Sequence, residues 1–228
     1  EFLHVSRQGI VVFSNDLRGN GNTAVTRSPL LLKDRFSSYL KGPYDHYMLK
    51  EILEQDRSIL NSMRGRVVNA NIVLGGIHEH MHLLLAAKTV FLVGCGSSYH
   101  ACMAVRATIE DLLRRTVVVF SAGDFVDTHP IVTSEDMAVF VSQSGETADV
   151  LQALTYCETR TNLLVGFTNV ASSTLSRRTL CGTHINAGPE MSVASTKSYT
   201  SQLVVLVLFA CMLSHPTRME QRAELILG

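Results

Sequence analysis

From about residue 88 the chain alternates between two textures. Short, continuously apolar runs (Thr89–Val93, Thr116–Phe120, Met137–Val141 and Leu163–Phe167) are followed by a weaker fifth, Thr183–Asn186. Several stretches between them carry apolar residues at helical spacing: Ala101, Val105, Ile109 and Leu112 after the first run, and Val150, Leu151, Leu154 and Cys157 after the third. Strands apolar on both faces, alternating with amphipathic helices, predict a parallel sheet covered on both sides. A last stretch, Tyr199 to Ser214, is apolar nearly all round and is expected to be a buried central helix. Its uninterrupted part, Leu203 to Leu213, falls well short of the ~20 residues a membrane helix needs. Upstream, Asp45 is placed to cap a helix whose apolar stripe runs through Met48, Leu49, Ile52 and Leu53 and continues through Ile59, Leu60 and Met63, with Gly65 ending it. A further helix is expected over His78–Ala87. Residues 1–38 offer one strand, Ile10–Phe13, then a turn region at Arg18–Asn22 and a polar stretch at Thr23–Pro29, and read as a tail or linker.

The expected fold is therefore α/β: a doubly wound five-stranded parallel sheet over residues 88–228, for which the strand order 2-1-3-4-5 of flavodoxin-like proteins is assumed. A helical extension over 41–87 precedes it, and 1–40 is a divergent tail. The chain has 228 residues, 46% of them hydrophobic, enough for a substantial core. Twenty basic residues balance twenty acidic ones, so neither nucleic acid nor an acidic membrane is the expected partner. Five cysteines, none in a C-x-x-C spacing, point to a reducing compartment and hence the cytoplasm. The chain begins at Glu1 and is expected to be an excised piece of something longer.

The chemistry concentrates in two loops. Ser142-Gln143-Ser144-Gly145-Glu146-Thr147 joins the third strand to a helix, and Gly94-Cys95-Gly96-Ser97-Ser98 does the same after the first. A helix N-terminus presents free backbone N–H groups that favour an anion, and Ser and Thr hydroxyls add donors. In a 2-1-3-4-5 sheet the order reverses between strands 1 and 3, and the crevice at their carboxyl ends is the default ligand site. Loop chemistry and topology thus select the same place. Hydrogen bonds to a charged phosphate contribute roughly 1.5–3 kcal/mol each, so neutral donors suffice to hold one.

Competing motifs are weaker. Gly94-Cys95-Gly96 opens like a dinucleotide fingerprint, but Tyr99 stands where the third glycine belongs and no acidic residue closes the second strand. A Walker loop is absent. His78-Glu79-His80-Met81-His82 matches H-E-x-x-H, a zinc pattern, without a third ligand in a fitting place, and is better read as a solvated linker helix. Gly188 to Lys197, rich in Ser and Gly, follows the fifth strand and can close over the sugar end of a ligand; otherwise it is a helix-entry loop with Ser195 or Thr196 as the cap. A Schiff base at Lys197 has no support nearby in sequence.

Cys95-Gly96-Ser97-Ser98-Tyr99-His100, Ser142–Thr147, and Asn186-Ala187-Gly188-Pro189-Glu190 through Ser201-Gln202 together closely resemble the glutamine–fructose-6-phosphate aminotransferase (isomerizing) family, in its first sugar-isomerase (SIS) domain. Met48–Ile52, Glu54-Gln55 and Met63–Arg66 resemble the segment that precedes that domain, so the resemblance covers about 45–228. Residues 1–40 resemble the family little, as the degenerate end of its glutaminase domain would. The resemblance implies binding of fructose 6-phosphate or glucosamine 6-phosphate by Ser97, Ser98, Ser142, Gln143, Ser144 and Thr147, with the backbone near Val193 and the Ser195 side chain along the sugar. It implies no metal or redox cofactor, dimers or larger assemblies, and a place in UDP-N-acetylglucosamine synthesis. It also implies feedback binding of UDP-N-acetylglucosamine at Arg66, Gly75, Ser176, Thr179, Gly182 and His184. Here Ser97 replaces the family's usual Thr, Ser192 a usual Gly, and Arg178 and Leu180 usual acidic or polar residues. The family's glutaminase nucleophile and the acid–base groups of its second SIS domain have no counterpart in these residues. The 228 residues are therefore expected to bind sugar phosphate weakly without turning it over. The other reading is a non-catalytic SIS-domain sugar-phosphate sensor.

Overall fold

The computed structural model describes residues 2–6, 9–15, 22–25, 39–69 and 71–227. They fall into two compact units, Glu1–Ser38 and Tyr39–Gly228. In the first, β1 (Phe2–Ser6), β2 (Gly9–Asn15) and β3 (Asn22–Val25) form an antiparallel sheet in that order. The strand expected at Ile10–Phe13 is the middle of β2. Its two neighbours stand in a stretch read as tail, because short strands with polar residues at alternate positions carry little signal. Residues 18–21 and 26–29 of the expected turn and polar stretch lie outside the described residues.

The second unit opens with α1 (Tyr47–Leu53) and α2 (Gln55–Met63), a two-residue-per-strand hairpin β4 (Val67–Val68) and β5 (Asn71–Ile72), and two single turns, α3 (Gly75–His78) and α4 (Met81–Leu84). Three expectations are corrected here. The N-cap of α1 is His46, in extended conformation and without a side-chain bond, rather than Asp45. The stripe Met48, Leu49, Ile52 and Leu53 faces outward, as does Leu60, while Lys50 and Glu51 are buried. Those charged ends go inside because partners wait there: Lys50 Nζ donates to Leu40 O at 2.7 Å, and Glu51 accepts from the backbone at 191–192. Finally, His78–Ala87 is no single helix: α3 ends at His78 and α4 spans Met81–Leu84, and while His78, Glu79 and His82 are exposed as expected, Ile77 and Leu84 on the other side are fully buried. The glycine pair sets this up: a Cβ on Gly76 would run into the Gly182 carbonyl, so only glycine lets the segment lie this close to the sheet.

The main sheet consists of β6 (Thr89–Gly94), β7 (Thr116–Ser121), β8 (Met137–Ser142), β9 (Leu164–Thr168) and β10 (Cys181–His184). Its order is β7-β6-β8-β9-β10, all parallel, which is the expected 2-1-3-4-5. The fifth strand sits two residues earlier than its apolar pattern suggested. Pairing with β9 runs from Cys181 to His184, after which Asn186 takes φ 61 and turns the chain away. The crossovers are α5 (Ser97–Leu113), α6 (Ala122–Thr128), α7 (Ala148–Glu158) and α8 (Thr174–Arg178). α9 (Lys197–Met212) follows β10, and a 3-10 turn, Pro216–Arg218, leads into α10 (Met219–Leu227). The short helices α6 and α8, invisible to periodicity, are capped by Ser121 and Ser173, whose hydroxyls accept from Asp124 N and Ser176 N.

Alternation along the strands divides the core. Val90, Leu92, Met137, Val139 and Val141 pack with α5 and α9, whereas Phe91, Val93, Ala138 and Phe140 pack with α6, α7 and α8. The sheet is buried on both faces, as the continuous apolar runs required. α9 is central, with ten of its residues buried. All five cysteines are free and four are buried. Burial pushes the thiols of Cys102 and Cys157 up to about 12, so they act as core residues rather than nucleophiles. Among the described residues no helix is long and apolar enough to cross a membrane, and no cluster of His, Cys, Asp or Glu could hold a metal ion. The break between α3 and α4 also removes the helical register a zinc pair at His78 and His82 would need.

Candidate functional site

β6 and β8 are neighbours, yet α5 leaves β6 toward one face of the sheet and α7 leaves β8 toward the other. This divergence opens a crevice at their carboxyl ends. After β6 the backbone turns so tightly that a Cβ on Gly94 would lie 3.0 Å from Ser98 C and Tyr99 N. Ser97 therefore starts α5 directly over the strand end, a 17-residue helix whose N-terminus faces the crevice. Ser98 is buried, and its Oγ accepts from Gln202 Nε2 of α9 at 3.0 Å.

The loop after β8 is organised by its own hydroxyls. Ser142 Oγ accepts from Gly145 N at 3.0 Å and lies 3.1 Å from Thr147 Oγ1. Ser144 Oγ accepts from Glu146 N at 3.1 Å, which leaves its own proton free to donate. Thr147 is the N-cap of α7. Gly145 holds φ 67, a left-handed conformation that closes the turn. Glu146 points away and accepts from Thr174 N at 2.7 Å, fastening the turn to the start of α8. That backbone hydrogen bond holds the Glu146 carboxyl below the usual range.

A third wall comes from residues 188–196, between β10 and α9. Glu190 Oε1 accepts from Thr196 N at 2.9 Å and Ser198 N at 3.2 Å, and Ser195 Oγ donates to Glu190 Oε2 at 3.0 Å. Glu190 thus satisfies the amides at the start of α9, whose N-cap Thr196 makes no side-chain bond. The helix-entry cap assigned to Ser195 or Thr196 is carried instead by a carboxylate five or six residues upstream.

Together the three loops enclose a cleft of about 260 Å³. Its wall includes Ser97 and Ser98 from the first loop, Ser142, Gln143, Ser144 and Thr147 from the second, and Val193 and Ser195 from the third. All eight residues selected from the sequence thus meet in one place. None of the residues lining it is basic, and Glu190 is its one carboxylate among the described residues. An anion held here would rest on hydroxyls, backbone N–H groups and the N-termini of α5 and α7.

The second set of expected residues is placed on or near the β10 edge of the sheet. Arg66, after α2, is buried and donates to Ser62 O at 2.9 Å and to His184 O. Gly182 and His184 lie on β10, with Gly76 of α3 against Gly182, whereas a Cβ on the adjacent Gly75 would meet nothing within 4 Å. Thr179 packs on Gly166 of the neighbouring strand, where a Cβ would come within 2.7 Å of its Oγ1, and Ser176 lies one turn back in α8. His184 Nδ1 is buried without a partner in the structure. Burial, the Arg66 charge and a backbone contact at Thr168 act on this ring; the first two prevail and hold it below its ordinary value.

Two contributors escaped the sequence reading. Gln202 was noted as part of a motif, but its bond to Ser98 spans 104 residues. Glu51 sits in a helix read by its apolar stripe, and nothing local marks a glutamate that reaches a loop 140 residues away.

Comparison with known proteins agrees with this geometry. Residues 83–212 match the model of the SIS domain. A probable glutamine–fructose-6-phosphate aminotransferase (isomerizing) of Schizosaccharomyces pombe is 50% identical over 99% of this chain, which covers 32% of that protein. The Saccharomyces cerevisiae enzyme of the same description is 47% identical over 90% of the chain, covering 29% of it. The chain thus spans about a third of the length of these relatives. Among solved structures, the C-terminal domain of glucosamine-fructose-6-phosphate aminotransferase from Francisella tularensis superposes with a TM-score of 0.76. It shares 31% identity, with 82% of this chain and 54% of that one covered. With the parallel 2-1-3-4-5 sheet, the cleft at its switch point and the family model over more than half the chain, this chain belongs to the SIS domain family.

Proposed function

We propose that this chain is the phosphosugar-binding portion of an enzyme that forms glucosamine 6-phosphate from fructose 6-phosphate and glutamine, in the hexosamine branch leading to UDP-N-acetylglucosamine. The convergence of Ser97, Ser98, Ser142, Gln143, Ser144 and Thr147 on one cleft carries this reading. The phosphate is held by hydroxyls and two helix N-termini, and the loop at Val193 and Ser195 lies along the sugar. No residue of this chain is assigned a catalytic role. The oxygens of Glu190 are taken up by Ser195, Thr196 and Ser198, so the cleft offers no free acid–base pair. It holds substrate, and no metal or redox cofactor enters the reading. The relatives' descriptions as aminotransferases favour the enzyme over the alternative of a non-catalytic sugar-phosphate sensor.

UDP-N-acetylglucosamine as a feedback ligand would sit at the β10 edge, on Arg66, Gly75, Ser176, Thr179, Gly182 and His184. The unpartnered Nδ1 of His184 supports a ligand there. The outward stripe Met48, Leu49, Ile52 and Leu53 supports assembly as a homodimer or larger, and the five free cysteines support the cytoplasm as the compartment. The test is calorimetry on the 228-residue chain with millimolar glucosamine 6-phosphate and fructose 6-phosphate. Binding is expected, and Ser144→Ala should weaken it about tenfold by removing one donor to a charged acceptor. No heat with either sugar phosphate, or an unchanged affinity in Ser144→Ala, overturns the assignment.

A further inference from the structure

The loop over the cleft contains no helix or strand between β10 and α9, so its shape depends on what holds it. Three side chains do so. Asn169 fixes its entry, donating from Nδ2 to Gly188 O at 2.7 Å and accepting from Ala187 N at 2.9 Å. Glu190 fixes its exit at the start of α9. Its middle is held by Glu51 of α1, whose carboxylate accepts from Met191 N at 2.5 Å and from Ser192 N at 3.3 Å with both oxygens. The next turn of the same helical segment reinforces the arrangement: Glu54 Oε2 pairs with Lys197 Nζ at 2.7 Å, at the first residue of α9.

Glu51 is only 2% exposed, and a carboxylate taken that far out of water is tolerated when donors meet it. The donors here are backbone amides of the residues that precede Val193 on the cleft wall. Ser192 joins the two sides: its amide is held by Glu51, it lines the cleft, and its Oγ is buried with no partner in the structure. Val193, next along, is fully exposed, so at that point the loop can offer a ligand little beyond its backbone. Backbone recognition works only where the backbone is already in place, because a loop ordered on binding subtracts its ordering cost from affinity.

We propose that Glu51 is a positioning residue for the phosphosugar cleft, holding Met191 and Ser192 so that the backbone that follows them, at Val193 to Ser195, faces the sugar end of the ligand. The helical segment before the SIS domain is thereby part of the cleft. The idea rests on the sugar-phosphate reading above for its ligand, and on geometry alone for the hold.

The experiment compares Glu51→Gln with the wild-type 228-residue chain in two measurements. Hydrogen exchange reports the hold without any ligand: the amides of Met191 and Ser192 should exchange at least tenfold faster in Glu51→Gln, while those of the 142–147 turn stay unchanged. Calorimetry reports its use. Inorganic phosphate touches only the serine loops, so its affinity should stay within twofold, whereas glucosamine 6-phosphate should bind about tenfold more weakly, the loss of roughly one charge-assisted bond in place of a neutral one. Unchanged exchange at 191–192 overturns the proposal whatever binds. Equal weakening of phosphate and sugar phosphate also overturns it, since a general structural role would produce that. If the wild type binds neither probe, the sugar-phosphate reading fails, and the exchange result still decides whether Glu51 holds the loop. Glu51→Asp, which keeps the charge on a shorter arm, should fall between wild type and Glu51→Gln in exchange rate.

Discussion

Two glycines of the second unit hold the same backbone angle in opposite surroundings. Gly42 and Gly145 both sit at φ 67. A Cβ on Gly42 meets nothing within 4 Å. One on Gly145 would lie 2.5 Å from Ser173 Cβ and 2.7 Å from Thr168 Oγ1, and closer still to Ser173 Oγ. Gly42→Ala therefore costs only the left-handed strain, about 1–2 kcal/mol. Gly145→Ala costs that and also displaces Ser173, whose hydroxyl caps α8 by accepting from Ser176 N at 3.3 Å. A lost cap adds about 0.5–2 kcal/mol, so the total is about 1.5–4 kcal/mol. For a domain of 150–250 residues each kcal/mol lowers Tm by about 2–4 °C. Urea unfolding followed by far-ultraviolet circular dichroism should show the Gly145 variant less stable than the Gly42 variant by about 0.5–2 kcal/mol at unchanged m-value. Calorimetry should show sugar-phosphate affinity reduced in the former alone, because the turn that presents Ser144 is the part displaced. Equal losses in the two variants would refute the reasoning, since they would mean that the crowding at Ser173 relaxes at no cost.

Leu84→Ala should destabilise the chain by about 2–5 kcal/mol, the cost of a cavity at a fully buried leucine, measured by the urea midpoint; a loss under 1 kcal/mol would mean that α4 adds little to the core. His184 is held below its ordinary value of 6.5 in the fold, so the unfolded chain binds more protons below that pH. Its stabilising contribution is therefore full above about pH 6.5 and falls as the pH drops toward the folded value. Urea midpoints at pH 7.5 and 5.5 should fall more steeply in the wild type than in His184→Gln, and identical slopes would exclude His184 as a contributor.

How much of this was legible depended on the range over which each signal acts. The five strands of the main sheet and the stripe of α5 were read from local pattern, because burial on both faces forces unbroken apolar runs in β6, β8 and β9. The strand order is carried by no local pattern, and the observed 2-1-3-4-5 places the two serine loops side by side. α6 and α8 escaped because helices of seven and five residues have too few turns to show a stripe, and their caps decide them instead. The face of α1 was misjudged for a more instructive reason. Hydrophobic periodicity assumes that charged residues seek water, and here Lys50, Glu51 and Glu54 find partners at Leu40, Met191, Ser192 and Lys197.

The amino-acid sequence alone determined the layers of the fold and the chemistry of the two hydroxyl-rich turns, since strand burial, glycine conformations and hydroxyl spacing are local properties. Tertiary structure decided which distant groups complete the cleft. Gln202 reaches Ser98 across 104 residues and Glu51 reaches Met191 across 140, and neither helix carries a mark of its target. A hydrogen bond between remote segments depends on how whole helices pack, and packing is set by the summed burial of many side chains rather than by the pair that meets.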